Sequence, residues 1–292
     1  MLNIITLLCL LLSLYNSGSP VATDPHFLQE LCLEVQIHGA QAAVERLQFD
    51  TQRSDELLTS PEIDIANLDY EEELKKLGFF KDETNDSKLN LRNAILRFQS
   101  SCNLTVTGKW DDKYLSSLVM KLLTESAVCE DIIEAPPSEG KWIVINKTKR
   151  LLTFYENKNV LHKYPIAIGN PPSLTPNGKF TIVSKVINPS WGGGGYAEPV
   201  KGGVPQNPLG YRWIGLSYKN GNTLGIHGNN SPYSIGKNIS HGCIRMINSD
   251  VEEFFIIVPR SIPVWIGTEE KLREWGVEQP EYSKSPEDTT KP

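Results

Sequence analysis

Hydrophobic positions change their spacing twice along the chain, and the changes divide it. Residues 4–14 are almost continuously apolar and are followed by the small and turn-forming Ser17-Gly18-Ser19-Pro20. That pattern predicts an export signal over residues 1–22, since the run is of secretory length and too short to span a bilayer comfortably. Residues 23–66 hold Phe27, Leu31, Val35, Ala42, Leu47 and Leu57 at loosely helical spacing and give no readable role.

From Leu68 the helical period sharpens. One helix is predicted to run to Leu77 and stop at Gly78. A second starts near Lys88 with Leu91, Ile95 and Phe98 on one side, and a third starts near Asp111 with Leu115, Leu118 and Leu122 facing inward. These make a small bundle over 67–134. The Pro-Pro-Ser-Glu-Gly stretch within 135–140 cannot continue a helix and marks a linker.

Beyond it the period becomes two. Strands are predicted at Trp142–Asn146, Leu151–Tyr155, Val160–Ile168, Gly178–Val186, Trp213–Ser217, Leu224–His227 and Pro263–Ile266. One helix, Ser249–Val258, is capped by Ser249 or Asp250 and ended by Pro259. The fold class is therefore mainly β over 141–267, following a small α-helical bundle. Residues 268–292 read as a polar C-terminal tail, frayed beyond Glu281.

Charge sharpens this division. Residues 24–140 carry 11 basic and 23 acidic side chains, while 141–267 carry 14 and 5, so the net charge of -6 conceals an acidic unit joined to a basic one. Attraction between the halves is one reading, and two differently solvated surfaces is the other. A basic unit suits an anionic setting. No dense Lys/Arg stripe suggests nucleic acid.

Candidate chemistry concentrates in Leu224-Gly225-Ile226-His227-Gly228-Asn229 and Ser240-His241-Gly242-Cys243-Ile244-Arg245. A thiol near neutral pH needs an imidazole or a positive field to become a nucleophile, and two of the chain's 5 histidines lie here. Spacing alone leaves either His227 or His241 as the base. The same residues are of zinc-binding type, but no fourth ligand or paired-Cys motif accompanies them, so no metal or other cofactor is expected. Gly192–Gly195 lacks the ending of a Walker motif and reads as a flexible flap beside a cleft.

Together with Thr175-Pro176-Asn177-Gly178-Lys179-Phe180 and Asn207-Pro208-Leu209-Gly210, these segments resemble the catalytic domain of L,D-transpeptidases of the YkuD type. Leu77-Gly78-Phe79, Ala94-Ile95-Leu96-Arg97-Phe98-Gln99 and Thr107-Gly108-Lys109-Trp110 resemble a three-helix peptidoglycan-binding domain. The resemblance implies an acyl-enzyme on Cys243, with His227 as base steered by the carbonyl of Gly228, and His241 as an auxiliary group. Gly242 and Cys243 N–H groups become oxyanion candidates. Arg245, Ser240, Trp213 and Tyr196 become substrate-binding candidates. The implied partners are peptidoglycan stem peptides and glycan, the implied site of action is extracellular or in the cell wall, and no membrane domain is expected once the signal is removed. Oligomeric state is left open. Hydrolysis by an L,D-carboxypeptidase and non-enzymatic wall binding are the alternatives. Cys102 and Cys129, which follow the second and third helices, are expected to form a disulfide if the chain is exported.

Overall fold

The computed structural model describes residues 69–110, 131–137, 139–195, 197–219 and 223–281. The expected signal, the 23–66 segment, the third helix, Tyr196 and Cys129 lie outside the described residues.

Helix α1 (Tyr70–Lys76) begins where the Asp69 carboxylate accepts from the backbone N–H groups of Glu71 and Glu72. It ends at Gly78, whose φ of 76° lets Phe79 N–H reach back to the Leu74 carbonyl at 2.9 Å. Helix α2 (Ser87–Ser101) is capped in the same manner by Asp86. Leu74, Ala94, Ile95, Phe98 and Leu104 form the core between them, as the helical spacing predicts, with Trp110 stacked on Tyr70.

The β portion is a closed ring. Strands β2 (Lys141–Asn146), β3 (Leu151–Glu156) and β4 (Asn159–Gly169) form an antiparallel meander. Strands β5 (Gly178–Ile187), β6 (Arg212–Leu216) and β7 (Gly225–His227) form a second. Two parallel junctions contribute to closure. Strand β9 (Ile244–Met246) runs parallel to β7 and antiparallel to β4, while β10 (Pro263–Gly267) runs parallel to β2 and antiparallel to β5. The short β8 (Asn238–Ser240) adds in parallel to the end of β4. Inside the ring lie Ile143, Ile145, Phe154, Ile166, Ile168, Ile214, Ile226, Ile244, Met246 and Ile266, joined by Val251 and Phe254 of α3 (Asn248–Ile257). Period-two alternation sends these residues to the inner face, and on β2 and β3 the residues between them are buried as well.

Two expectations are corrected. The cap of α3 is neither Ser249 nor Asp250: the N-cap is Ile247, without a side-chain bond, because both polar residues turn instead to α2 and its preceding loop. Nor are residues 268–281 a tail. They form α4 (Glu269–Glu274) and β11 (Val277–Glu278), which pairs with β1 (Ile132–Ile133). Leu272 and Val277 pack with Trp142 and Trp265 on the outer face of the barrel, so a few well-placed apolar residues fold a segment whose average composition is polar.

The helices pack directly on the barrel. Leu96 and Val106 meet Ala167, Ile235 and Ile247. Arg97 reaches Asp250 at 2.8 Å and Glu83 at 2.9 Å, all three largely withdrawn from solvent. Lys81 pairs with Glu253, and Lys163 with Asp131. In the Arg97 and Lys81 pairs the cation belongs to the net-acidic half, and in the Lys163 pair to the net-basic one.

Candidate active site

Strand register brings His227 and Cys243 together. In the parallel pair β7–β9, Ile226 is opposite Ile244 and His227 opposite Arg245. The two isoleucines point into the core, so alternation turns His227, Arg245 and the adjoining Cys243 to the outer face. Trp213 on β6 is the register partner of His227, and Val186 on β5 that of Trp213. This row of residues forms the floor of a cleft of about 760 Å³. Its other lining includes Trp191, Gly192, Gly194, Gly195, Leu209, Ser240 and His241.

His227 is 4% exposed and its Nδ1 lies 2.6 Å from the Gly228 carbonyl. A carbonyl only accepts, so Nδ1 carries the proton and Nε2 keeps its lone pair for base chemistry. Burial, opposed by the Gly228 bond and aided by the Arg245 charge, pushes the imidazole pKa down to about 4. The Trp213 ring stacks on the imidazole at 5.7 Å between centroids. Trp213, a substrate-binding candidate from sequence, therefore also fixes the ring orientation of His227.

Burial pushes the Cys243 thiol up, against the lowering effects of the Gly225 backbone and Arg245. Its Sγ points at the Thr223 carbonyl at 3.8 Å. Both shifts favour the neutral forms, thiol and imidazole, over a preformed ion pair.

Ser240 holds the turn before the nucleophile. Its hydroxyl donates to the Cys243 carbonyl at 2.5 Å and accepts from Gly242 N–H at 3.1 Å. Ser240 thus shapes the loop as well as lining the cleft, and one sequence expectation is corrected: the Gly242 N–H is already engaged, which removes it as an oxyanion donor in this conformation. Gly242 itself has φ 128°, and a Cβ there would sit 2.7 Å from the Leu174 carbonyl oxygen. Exposed His241 lines the same cleft.

Further residues support the site, and two of them, Thr175 and Asn207, stand in segments that carried the family resemblance without a role of their own. Fully buried Thr175 accepts from Gly169 N–H at 2.8 Å and donates to the Gly242 carbonyl at 2.7 Å. Asn248 accepts from Asn229 N–H at 2.8 Å and donates to the Asn229 carbonyl at 3.0 Å, holding the chain after His227-Gly228. Asn207 donates to the carbonyls of Pro189 and Lys201 at 2.7 and 3.0 Å and ties the cleft wall together. The glycine run borders the cleft as a turn. Gly193, Gly194 and Gly195 all have left-handed φ of 82°, 59° and 82°, and an antiparallel bridge between Trp191 and Val200 closes the segment. Among the described residues, no group of three or more His, Cys, Asp or Glu is placed to hold a metal ion.

A half-buried thiol, a tautomer-locked imidazole and a cleft thus share one face of a closed β-barrel. The description "L,D-transpeptidase catalytic domain" matches residues 140–266, and "putative peptidoglycan binding domain" matches residues 68–118. The chain belongs to the YkuD-type L,D-transpeptidase family. It is 40% identical over 129 residues to the putative L,D-transpeptidase YqjB of Bacillus subtilis, covering 43% of this chain and 70% of that protein. It is 40% identical over 124 residues to the putative L,D-transpeptidase YkuD of the same organism, covering 42% of this chain and 64%, just under two thirds, of that one. Among solved structures, an L,D-transpeptidase from Xylanimonas cellulosilytica is similar at 19% identity and a TM-score of 0.46, covering 72% of this chain and 94% of that chain.

Proposed function

We propose that this chain cross-links peptidoglycan stem peptides through a thioester on Cys243. The observation that carries the reading is the convergence of Cys243 and His227 in one cleft, with Nδ1 of His227 bonded to the Gly228 carbonyl. In the first step His227 Nε2 takes the thiol proton as Sγ attacks the carbonyl between the third residue of a tetrapeptide stem and its terminal D-alanine. The Cys243 N–H faces the developing oxyanion, and Arg245 and His241 orient the stem. His227 returns the proton to the departing D-alanine amine. A side-chain amine of a second stem then resolves the thioester into a link between third residues.

The protein acts on the wall after export, with residues 1–22 as the signal and the helices near 68–118 holding the glycan. The test is mass analysis of muropeptides after incubation with disaccharide-tetrapeptide. Release of D-alanine with a third-to-third dimer supports the reading. Disaccharide-tripeptide alone, at every acceptor concentration and with an alkylatable Cys243, replaces it with hydrolysis. Cys243→Ala is expected to form neither product while keeping the fold.

A further inference from the structure

A second constellation of reactive groups lies where the end of α2 meets the barrel, separate from the cleft. Asn103 follows the C-cap of α2 with φ 55° and is fully buried. Lys163 extends from β4, and Asp131 immediately precedes β1. Lys163 Nζ donates to Asn103 Oδ1 at 2.6 Å and to Asp131 Oδ1 at 2.7 Å. Asn103 Nδ2 donates to that same Asp131 oxygen at 2.7 Å. The Lys163 and Asp131 side chains are 4% and 0% exposed.

One carboxylate oxygen therefore touches both an amine and the amide nitrogen of the carboxamide against which that amine is packed. The second Asp131 oxygen is occupied by the Tyr155 hydroxyl at 2.5 Å and Gln279 Nε2 at 3.1 Å, which fixes the orientation of the carboxylate. Burial, reinforced by the Asp131 charge, raises the Tyr155 pKa well above its ordinary value, so the phenol remains a donor. Asn103 Nδ2 is further held by the Pro280 carbonyl at 3.0 Å. An amine and a carbonyl fixed in contact within a site that excludes water have a very high effective concentration. A carboxylate bridging attacking and departing nitrogens is the arrangement general acid–base catalysis requires.

We propose that Lys163 and Asn103 join in an intramolecular isopeptide bond, with Asp131 as the proton carrier. Asp131 takes a proton from the Lys163 ammonium. The freed lone pair forms the Nζ–Cγ bond to Asn103, and the Cγ–Nδ2 bond breaks with its electron pair leaving on nitrogen. Two protons pass from Nζ through Asp131 to the departing nitrogen, which leaves as ammonium, and Asp131 returns to a carboxylate. The product is a covalent strut from the end of the helical segment to β4.

The experiment is tryptic mapping of the full-length protein after prolonged incubation at neutral pH. The expected species is branched: the peptide Phe98–Lys109 joined to the peptide Asn159–Lys179, uncut after Lys163 and lighter by one ammonia than the two together. Lys163→Arg keeps the positive charge without the nucleophile and is expected to give linear peptides and a lower melting temperature. Asp131→Asn is expected to give linear peptides over the same incubation. Linear Phe98–Lys109 and complete cleavage after Lys163 in the parent protein overturn the bond. A branched product formed equally fast in Asp131→Asn overturns the role of Asp131.

Discussion

The hydroxyl of Thr175 donates to the carbonyl of Gly242 across 67 positions of sequence, one residue before the nucleophile. It also accepts from Gly169 N–H, so one buried side chain satisfies two backbone groups and pins the loop that carries Cys243. Thr175→Val keeps the shape and leaves both groups unmet. The expected cost is roughly 1–3 kcal/mol in denaturant unfolding, with a fall in turnover greater than the fall in substrate affinity. Serine at this position is expected to restore most of both.

The lowered pKa of His227 makes a pH prediction of definite sign. Its ordinary value is 6.5 and its folded value about 4, so below about 6.5 the unfolded chain binds the proton that the native imidazole refuses. Its contribution to stability is full above that range, declines as pH falls toward 4, and is then flat, amounting in total to roughly 3 kcal/mol. Urea titrations between pH 7 and 4, compared with His227→Gln, check this. The acid limb of kcat/KM for the free enzyme is expected near pH 4 to 5. A limb near 6.5 would show that the imidazole is not held neutral as described.

Arg97 joins Asp250 and Glu83 at the contact between α2 and α3. Arg97→Ala leaves the buried Asp250 carboxylate with only the longer Lys81 contact at 3.7 Å and is expected to destabilise the fold by roughly 3 kcal/mol. Arg97→Met combined with Asp250→Leu is expected to recover at least half of that loss, measured as a double-mutant cycle in guanidinium. The remainder reports on Glu83, which keeps bonds from Asn93 and Ser249.

Gly242→Ala tests the turn at the nucleophile. With φ at 128° and the Leu174 carbonyl 2.7 Å from the new methyl carbon, backbone must move. Acylation is expected to fall at least about a hundredfold, because misplacement by about 1 Å is enough for that. Thiol alkylation should still label Cys243.

Sequence made the chemistry legible and left its supports dark. The strand predicted at Leu224–His227 is present over Gly225–His227, and the scarcity of His and Cys drew attention to two segments that the structure brings into one cleft. Thr175 stood in a segment that carried the resemblance, but its role could not be read, because its partner lies on a distant turn and a threonine has many local uses. Ser249 and Asp250 looked like a helix cap because local capping is the usual fate of such residues. Arg97 and Glu83, more than a hundred positions away, outbid the local backbone. The 268–281 segment was obscured differently: short elements with one or two apolar contacts barely change average composition, yet Leu272 and Val277 are 1% exposed.

The pairing of β1 with β11 places Ile132 beside Glu278 and Ile133 beside Val277, so the two ends of the catalytic barrel are neighbours in space. A fragment trimmed to residues 140–266 would lose both strands and α4 together, and would bare Trp142 and Trp265 to water. Adjacent ends also make the barrel a candidate for circular permutation. A short linker could span 133 to 277 and new termini could open in an exposed turn elsewhere, leaving the wiring of β7 and β9 untouched.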